Sequence, residues 1–186
     1  MNVIEAIEKR RSIKRFTDRE ITRGELEKII AAAALAPNHR LTEPWRFYVL
    51  GPEARSAYGL ALGDRKARKL TDPDAVAALR AKVAAENRAL PGMIAVAMTV
   101  SEDPETREED YAAVMMAIQN LALAAVELGL GTHIKTGAVM DTEGARAAAG
   151  VPEGERIVAT INIGEPAEVP APKARSGGGG YTRWLP

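Results

Sequence analysis

The sequence predicts an α+β or α/β domain in which helices cover a sheet. Four short β-rich runs are interleaved with about five stretches of helical periodicity, the pattern of a layered mixed fold. Of the 186 residues, 46% are apolar, enough to build a core. The longest nearly apolar run, Ala112 to Val126, is interrupted by Gln119 and Asn120 and is shorter than the roughly 18 residues that suggest a membrane span, so it reads as a buried helix.

Taken in order, Val3, Ile4 and Ile7 recur at helical spacing, and their helix delivers the chain into a basic patch of Lys9, Arg10, Arg11, Lys14 and Arg15. Thr22 followed by Glu25 forms a capping box, after which Leu26, Ile29, Ile30 and Ala33 mark an amphipathic helix stopped by Pro37. Arg46 to Leu50 is a strand closed by Gly51-Pro52, and Ile94 to Val100 is a second, entered through Pro91-Gly92. Alanine-, arginine- and lysine-rich helical stretches lie between them. Ser101 to Asp110 is polar and acidic and reads as a solvated turn before a long helix from about Glu109 to Leu128, ended by Gly129 and Gly131. Thr132 to Lys135 and Arg156 to Ile163 supply the last strands, with a short helix near Glu143 to Ala149 between them. From Glu165 the composition turns to Pro, Ala and Gly. Residues 165–186 therefore read as an extended tail, flexible or held by something outside its own compact unit.

Composition narrows the function. Twenty-five basic residues balance 25 acidic ones, so no net field recruits nucleic acid or an anionic membrane, and a small molecule or another copy of the chain is the expected partner. Cysteine is absent, which excludes disulfides, thiolate metal sites and cysteine nucleophiles, and leaves redox chemistry to a cofactor. The two histidines, His39 and His133, lack a nearby carboxylate cluster and make a poor metal site. The N-terminus lacks the apolar stretch of a secretory signal, and the expected location is the cytoplasm. Neither a Gly-x-Gly-x-x-Gly turn nor a Walker loop is present.

Four segments carry candidate chemistry. In Arg10-Arg11-Ser12-Ile13-Lys14, forked guanidinium donors and a hydroxyl sit within one turn, a plausible phosphate cradle whose bland counterpart is a solvated helix end. Ala36-Pro37-Asn38-His39 to Glu43-Pro44-Trp45 is a proline-bracketed polar loop before a strand, the kind that positions ligand-contacting groups; Trp45 itself reads as core. Gly129 to Gly137 includes Ile134, Lys135 and Thr136 and has glycines that let backbone approach a flat ligand, although helix ends produce such glycines as well. Lys173 and Arg175, two apart in an extended segment, point the same way and are able to grip one anion, or else belong to a disordered basic tail.

In this order the four segments resemble the nitroreductase family of FMN proteins over essentially the whole chain, most closely a short subgroup with an Ala-Pro-Asp-His-like loop before Gln-Pro-Trp. Glu43 stands where the family usually has glutamine. The resemblance implies one α+β nitroreductase-like domain over 1–186, with a mainly antiparallel central sheet flanked by helices, intertwined as a homodimer. It places Arg10, Arg11, Ser12, Lys173 and Arg175 around the FMN phosphate and ribityl chain. Lys14 falls near the pyrimidine end, Ile134, Lys135 and Thr136 fall beside the ring, and Asn38 and His39 come from the other subunit. The tail would wrap the partner. The implied activity is ping-pong transfer from NADPH or NADH to a nitroaromatic, quinone or related acceptor, with the flavin rather than a side chain carrying the chemistry. Dehalogenation, flavin cleavage and a non-catalytic flavin-binding module are the rival readings.

Overall fold

A computed structural model describes residues 1–186 and gives the element order α1 (Val3–Lys9), α2 (Arg23–Ala33), β1 (Trp45–Val49), α3 (Pro52–Ala67), α4 (Pro73–Arg88), β2 (Gly92–Thr99), α5 (Pro104–Glu127), β3 (Gly131–Lys135), α6 (Glu143–Ala149) and β4 (Glu155–Gly164). The strands form one sheet in the order β1-β2-β4-β3 with every pairing antiparallel, so the α+β alternative holds over α/β. No helix is long and apolar enough to cross a membrane.

Side chains alternate across the sheet and build two separate cores. On one face Ile94, Val96, Met98, Ile161 and Ile163 meet Ile29 and Ala33 of α2 and Val114, Ala117, Ile118, Leu121 and Ala125 of α5. On the other, Met93, Ala95, Ala97 and Ile157 meet Tyr58 and Ala61 of α3 and Ala145 and Ala149 of α6. The middle strands β2 and β4 are buried on both faces and read as continuous apolar runs, whereas Trp45 on edge strand β1 is only partly buried against the first core.

Capping chemistry sets the helix limits. Thr22 and Glu25 form the reciprocal capping box at the start of α2. Helix α5 begins at Pro104, about five residues before the sequence reading placed it, because the Asp103 side chain accepts from the Thr106 N–H and Pro104 takes the first helical position. The acidic segment read as a turn is thus mostly the solvated first turns of α5. Strand β2 likewise begins at Gly92, since Gly92 and Met93 already pair with Ile163 and Asn162. Helices α3 and α4 pack as a hairpin in close contact, and a Cβ on Gly59 would lie 2.7 Å from the Ala84 Cα. In α5 most apolar positions are covered by the chain's own fold. Tyr111 and Met116 remain about 40% exposed, and Val3, Ile4 and Ile7 on α1 are exposed as well.

The tail is anchored only at its root. The Thr17 N–H donates to the Glu165 carbonyl at 2.9 Å and the Ala167 N–H to the Arg15 carbonyl at 3.1 Å. From Ala167 to Pro186 every residue is exposed, and Gly178–Tyr181 forms a single 3₁₀ turn.

Candidate functional site

The segment with the first basic cluster leaves α1 and runs along the outer edge of β3. Ser12 bridges Thr132 in parallel register, and the Ile13 N–H donates to the Thr132 carbonyl at 2.9 Å. The run thus covers an otherwise open sheet edge and lays its cations beside β3. Arg11 folds back on α1, with Nη1 donating to the carbonyls of Glu8 (2.5 Å) and Arg10 (2.9 Å), and so satisfies helix-end carbonyls. Arg10, Lys14 and Lys135 form no ion pair.

Strand β3 brings His133 opposite Asn162 and Lys135 opposite Thr160 on β4. Burial, reinforced by the charges of Lys135 and Lys14, holds the His133 imidazole below its ordinary pKa. Burial and then the nearby Lys66 charge hold the Lys135 ammonium below its ordinary range, while Glu86 acts the other way. Two buried polar atoms of this region lack partners: the Thr132 hydroxyl, which its pairing with Ile163 places on the α2–α5 side of the sheet, and Asn162 Oδ1, across from His133 on the other side. An orphaned buried polar atom costs about 1–3 kcal/mol, and a bound ligand with matching groups would remove that cost.

Next to these groups a cavity of about 310 Å³ opens between the α3–α4 hairpin and the sheet. Lys135, Thr136 and Thr160 line it from the sheet side, Lys66 and Tyr58 from α3 and Asn87 from α4, with Met93 and Met140 among its apolar walls. A second, more open cleft of about 480 Å³ shares Thr136 and Met140 and adds Gly137, Asp141, Tyr111 and Arg156, whose guanidinium lies 5.3 Å from the centre of the Tyr111 ring. Residues 136–140 therefore form a wall between two recesses.

The loop with Asn38 and His39 is held elsewhere. Asn38 Nδ2 donates to Thr42 Oγ1 at 3.0 Å, Asn38 Oδ1 accepts from the Glu43 N–H at 2.7 Å, and the Thr42 hydroxyl donates to Asp110 Oδ1 at 2.5 Å. His39 Nδ1 is 2.9 Å from Glu109 Oε1. These bonds pin the loop to α5, and none reaches the Arg10–Lys14 run or β3. Arg40, Leu41 and Glu43 all take positive φ, a strained backbone for non-glycine residues that these contacts maintain.

Among the residues singled out from sequence, the structure gathers Arg10, Arg11, Ser12, Lys14, Ile134, Lys135 and Thr136 along the β3 edge. It leaves Asn38 and His39 on the α2–β1 loop held against α5, and Lys173 and Arg175 on the exposed tail without a hydrogen bond or ion pair to the first cluster. Sequence reasoning missed Tyr58, Lys66, Asn87 and Thr160. They come from three elements with no shared motif, and the only local signal was Gly59 and Gly63, one turn apart on α3, which allow α4 to pack closely beside the cavity.

Comparison with known proteins places these features in a wider set. A model described as "Nitroreductase family" matches residues 7–165. The Bacillus subtilis protein named "Putative NAD(P)H nitroreductase YfhC" is 32% identical over 170 residues, covering 91% of this chain and 87% of that protein. A nitroreductase-like family protein from Bacillus cereus superposes with a TM-score of 0.85 at 28% identity, covering 100% of this chain and 96% of the other. A Desulfovibrio desulfuricans nitroreductase homologue solved in complex with FMN superposes with a TM-score of 0.73 at 25% identity, covering 99% and 96%.

Proposed function

This chain belongs to the nitroreductase family, and on that premise we propose that it is an FMN-dependent oxidoreductase that draws electrons from NADPH or NADH and delivers them to a nitroaromatic, quinone or related acceptor. The observation that carries the reading is the convergence of Arg10, Lys14 and Lys135, cations that form no ion pair, on the edge of β3, where Lys135 opens onto a 310 Å³ cavity. An anionic, planar ligand with several hydrogen-bonding groups suits that donor set.

FMN, when bound, would supply the hydride chemistry shared by donor and acceptor in alternating half-reactions. The protein's part is binding and electrostatics. Arg10 and Ser12 would hold the phosphate at the start of β3, with Arg11 fixing the end of α1 and lending charge. Ile134 and Thr136 would lie along the ring. Lys14 and Lys135 would place positive charge where the reduced cofactor gains negative charge. His133, kept neutral, has no assigned proton-transfer role. No side chain acts as a nucleophile.

Two features support a homodimer whose partner completes the site. Exposed Val3, Ile4 and Ile7 on α1, with Tyr111 and Met116 on α5, leave apolar surface on two helices that touch each other. The tail beyond Ala167 makes no backbone hydrogen bond to its own body, consistent with wrapping a second subunit and bringing Lys173 and Arg175 to a phosphate. Asn38 and His39 would then reach the partner's flavin.

The test is the absorbance spectrum of the purified protein and of its denatured supernatant, followed by NADPH or NADH oxidation with a quinone or nitroarene. Yellow protein that releases FMN and oxidises either nicotinamide is the expected result. Colourless protein that cannot be reconstituted with FMN overturns the reading, and flavin-loaded protein without turnover reduces it to flavin binding.

A further inference from the structure

Asp110, in the second turn of α5, is 3% exposed and is the only acidic side chain among the buried residues. No cation pairs with it, and its one hydrogen bond comes from the Thr42 hydroxyl at 2.5 Å. An ionised carboxylate with so few partners is costly to bury. Its only partner belongs to the loop in which Arg40, Leu41 and Glu43 take positive φ, so the cost falls where a strained backbone is being held.

The hydrogen bonds form a directed relay. Thr42 has one hydroxyl proton and two acceptors within reach, Asp110 Oδ1 at 2.5 Å and Asn38 Oδ1 at 3.3 Å. The nearer, charged acceptor takes the proton. The Thr42 oxygen is then left to accept, and Asn38 Nδ2 donates to it at 3.0 Å. This turns Asn38 Oδ1 toward the Glu43 N–H, which donates to it at 2.7 Å. With the amide reversed, Nδ2 would face that N–H, and two donors would meet without an acceptor. A carboxylate on α5 thus decides which way an amide in the loop points.

Resting on the reading that this loop reaches the partner's flavin, we propose that Asp110 is a positioning residue. Through Thr42 it sets the Asn38 amide and holds residues 38–43 in the form that meets the cofactor. The relay uses one of the two Asn38 amide protons and one of the two lone pairs on its oxygen, and it fixes the direction of the two that remain for a ligand. Asp110 itself touches no ligand. It gives up stability as a buried charge and supplies the geometry of a group that does bind.

The test uses the full chain, with and without FMN. Hydrogen exchange at the Glu43 amide reads the relay, urea denaturation reads global stability and fluorescence titration reads the Kd for oxidised FMN. Asp110→Asn keeps the shape of the side chain but removes its charge. Exchange at Glu43 should accelerate by at least about tenfold, as for the loss of a charged hydrogen bond, while the urea midpoint holds or rises because a buried charge is gone. FMN should bind roughly three- to tenfold more weakly, as for one misplaced neutral hydrogen bond. Thr42→Val should reproduce the faster exchange and the weaker binding, and adding Asp110→Asn to it should change neither further. Thr42→Ser, which keeps the hydroxyl, should restore both. Wild-type exchange at Glu43 in Asp110→Asn overturns the inference, as does faster exchange with unchanged FMN affinity. A urea midpoint that falls in step with the exchange also overturns it, because Asp110 would then be structural alone. A wild-type chain that binds no FMN overturns the underlying reading instead, and exchange measured without flavin separates the two failures.

Discussion

The two faces of the sheet are made from the same four strands and have opposite characters. The face under α2 and α5 is closed, with Ile94, Val96, Leu121, Ile161 and Ile163 at or near zero exposure and side chains that interlock without ionisable groups. The face under α3, α4 and α6 begins as a similar core around Met93, Ala95 and Tyr58, then gives way toward β3 to Lys135, Thr160, Asn162 and a cavity. Alternation of side chains along each strand permits this division, because residue i and residue i+1 belong to different environments. The closed face supplies stability. The open face carries costs in that same stability, namely the orphaned Asn162 oxygen and the Lys135 ammonium, which forms no ion pair, and a bound ligand would offset them.

The largest effect that tests this division is truncation on the closed face. Leu121→Ala, at a fully buried site between α5 and the sheet, should lower unfolding free energy by about 2–5 kcal/mol through lost burial and the cavity left behind. Urea denaturation measures it, and FMN affinity of the folded fraction should stay at the wild-type value. A comparable loss of flavin affinity would show that the two faces are not separable.

The complementary change is on the open side. Arg10→Ala should weaken FMN binding by about 1.5–3 kcal/mol, the worth of a charged hydrogen bond, while unfolding free energy moves by less than about 0.5 kcal/mol as for an ordinary surface position. Lys173→Ala should weaken FMN binding by a similar amount if the tail reaches the phosphate. Fluorescence titration reads both. Arg11→Ala sharpens the comparison, because the structure commits this guanidinium to the carbonyls of Glu8 and Arg10. Part of its effect should therefore appear as a lower melting temperature of the protein without flavin.

Gly59→Ala probes the seam where the open face meets its cover. The added Cβ would meet the backbone of Val83 and Ala84, which cannot rotate away, so α3 and α4 must separate, at a cost of about 1–3 kcal/mol for overpacking. Because Tyr58 of α3 and Asn87 of α4 line the cavity beside Lys135, the same change should alter flavin affinity as well as stability, unlike Leu121→Ala. A wild-type denaturation midpoint in Gly59→Ala would show that the hairpin tolerates the wider spacing.

Much of this architecture was legible in the sequence, and the boundary of legibility follows contact range. The α2 capping box, the four strands and the buried character of α5 rest on neighbours within a few residues, and each appears close to where the pattern puts it. The α5 start was misplaced because five acidic or polar residues outweighed one local signal, Asp103 before Pro104. The candidate site was legible only in its basic run and its β3 stretch, which lie side by side through the Ser12–Thr132 bridge. Lys66, Asn87 and Thr160 reach the same cavity through the folding of a helical hairpin over a sheet, and no spacing along the chain records that meeting.

The smallest predicted effect lies at the start of α2, on the closed face, and concerns acid. Glu25 accepts from the Thr22 backbone N–H at 2.8 Å, pairs with Arg19 at 2.5 Å and accepts from the Thr22 hydroxyl at 2.9 Å, and these contacts lower its pKa to about 2. A carboxylate held below its unfolded value contributes stability that is fully present above the ordinary range near 4.5 and is lost as pH falls toward 2. The wild-type unfolding midpoint in urea should therefore decline between those limits, and Glu25→Gln should flatten the part of the decline due to this site. Thr22→Ala, which removes only the hydroxyl partner of the cap, should cost about 1 kcal/mol near neutral pH. Arg10, Lys14, Lys66 and Lys135 form no ion pair to titrate over this interval, so their removal should leave this limb unchanged. If Lys66→Gln flattened the same acid limb as much as Glu25→Gln does, charge on the open face would be coupled to the closed one and the division between the faces would fail.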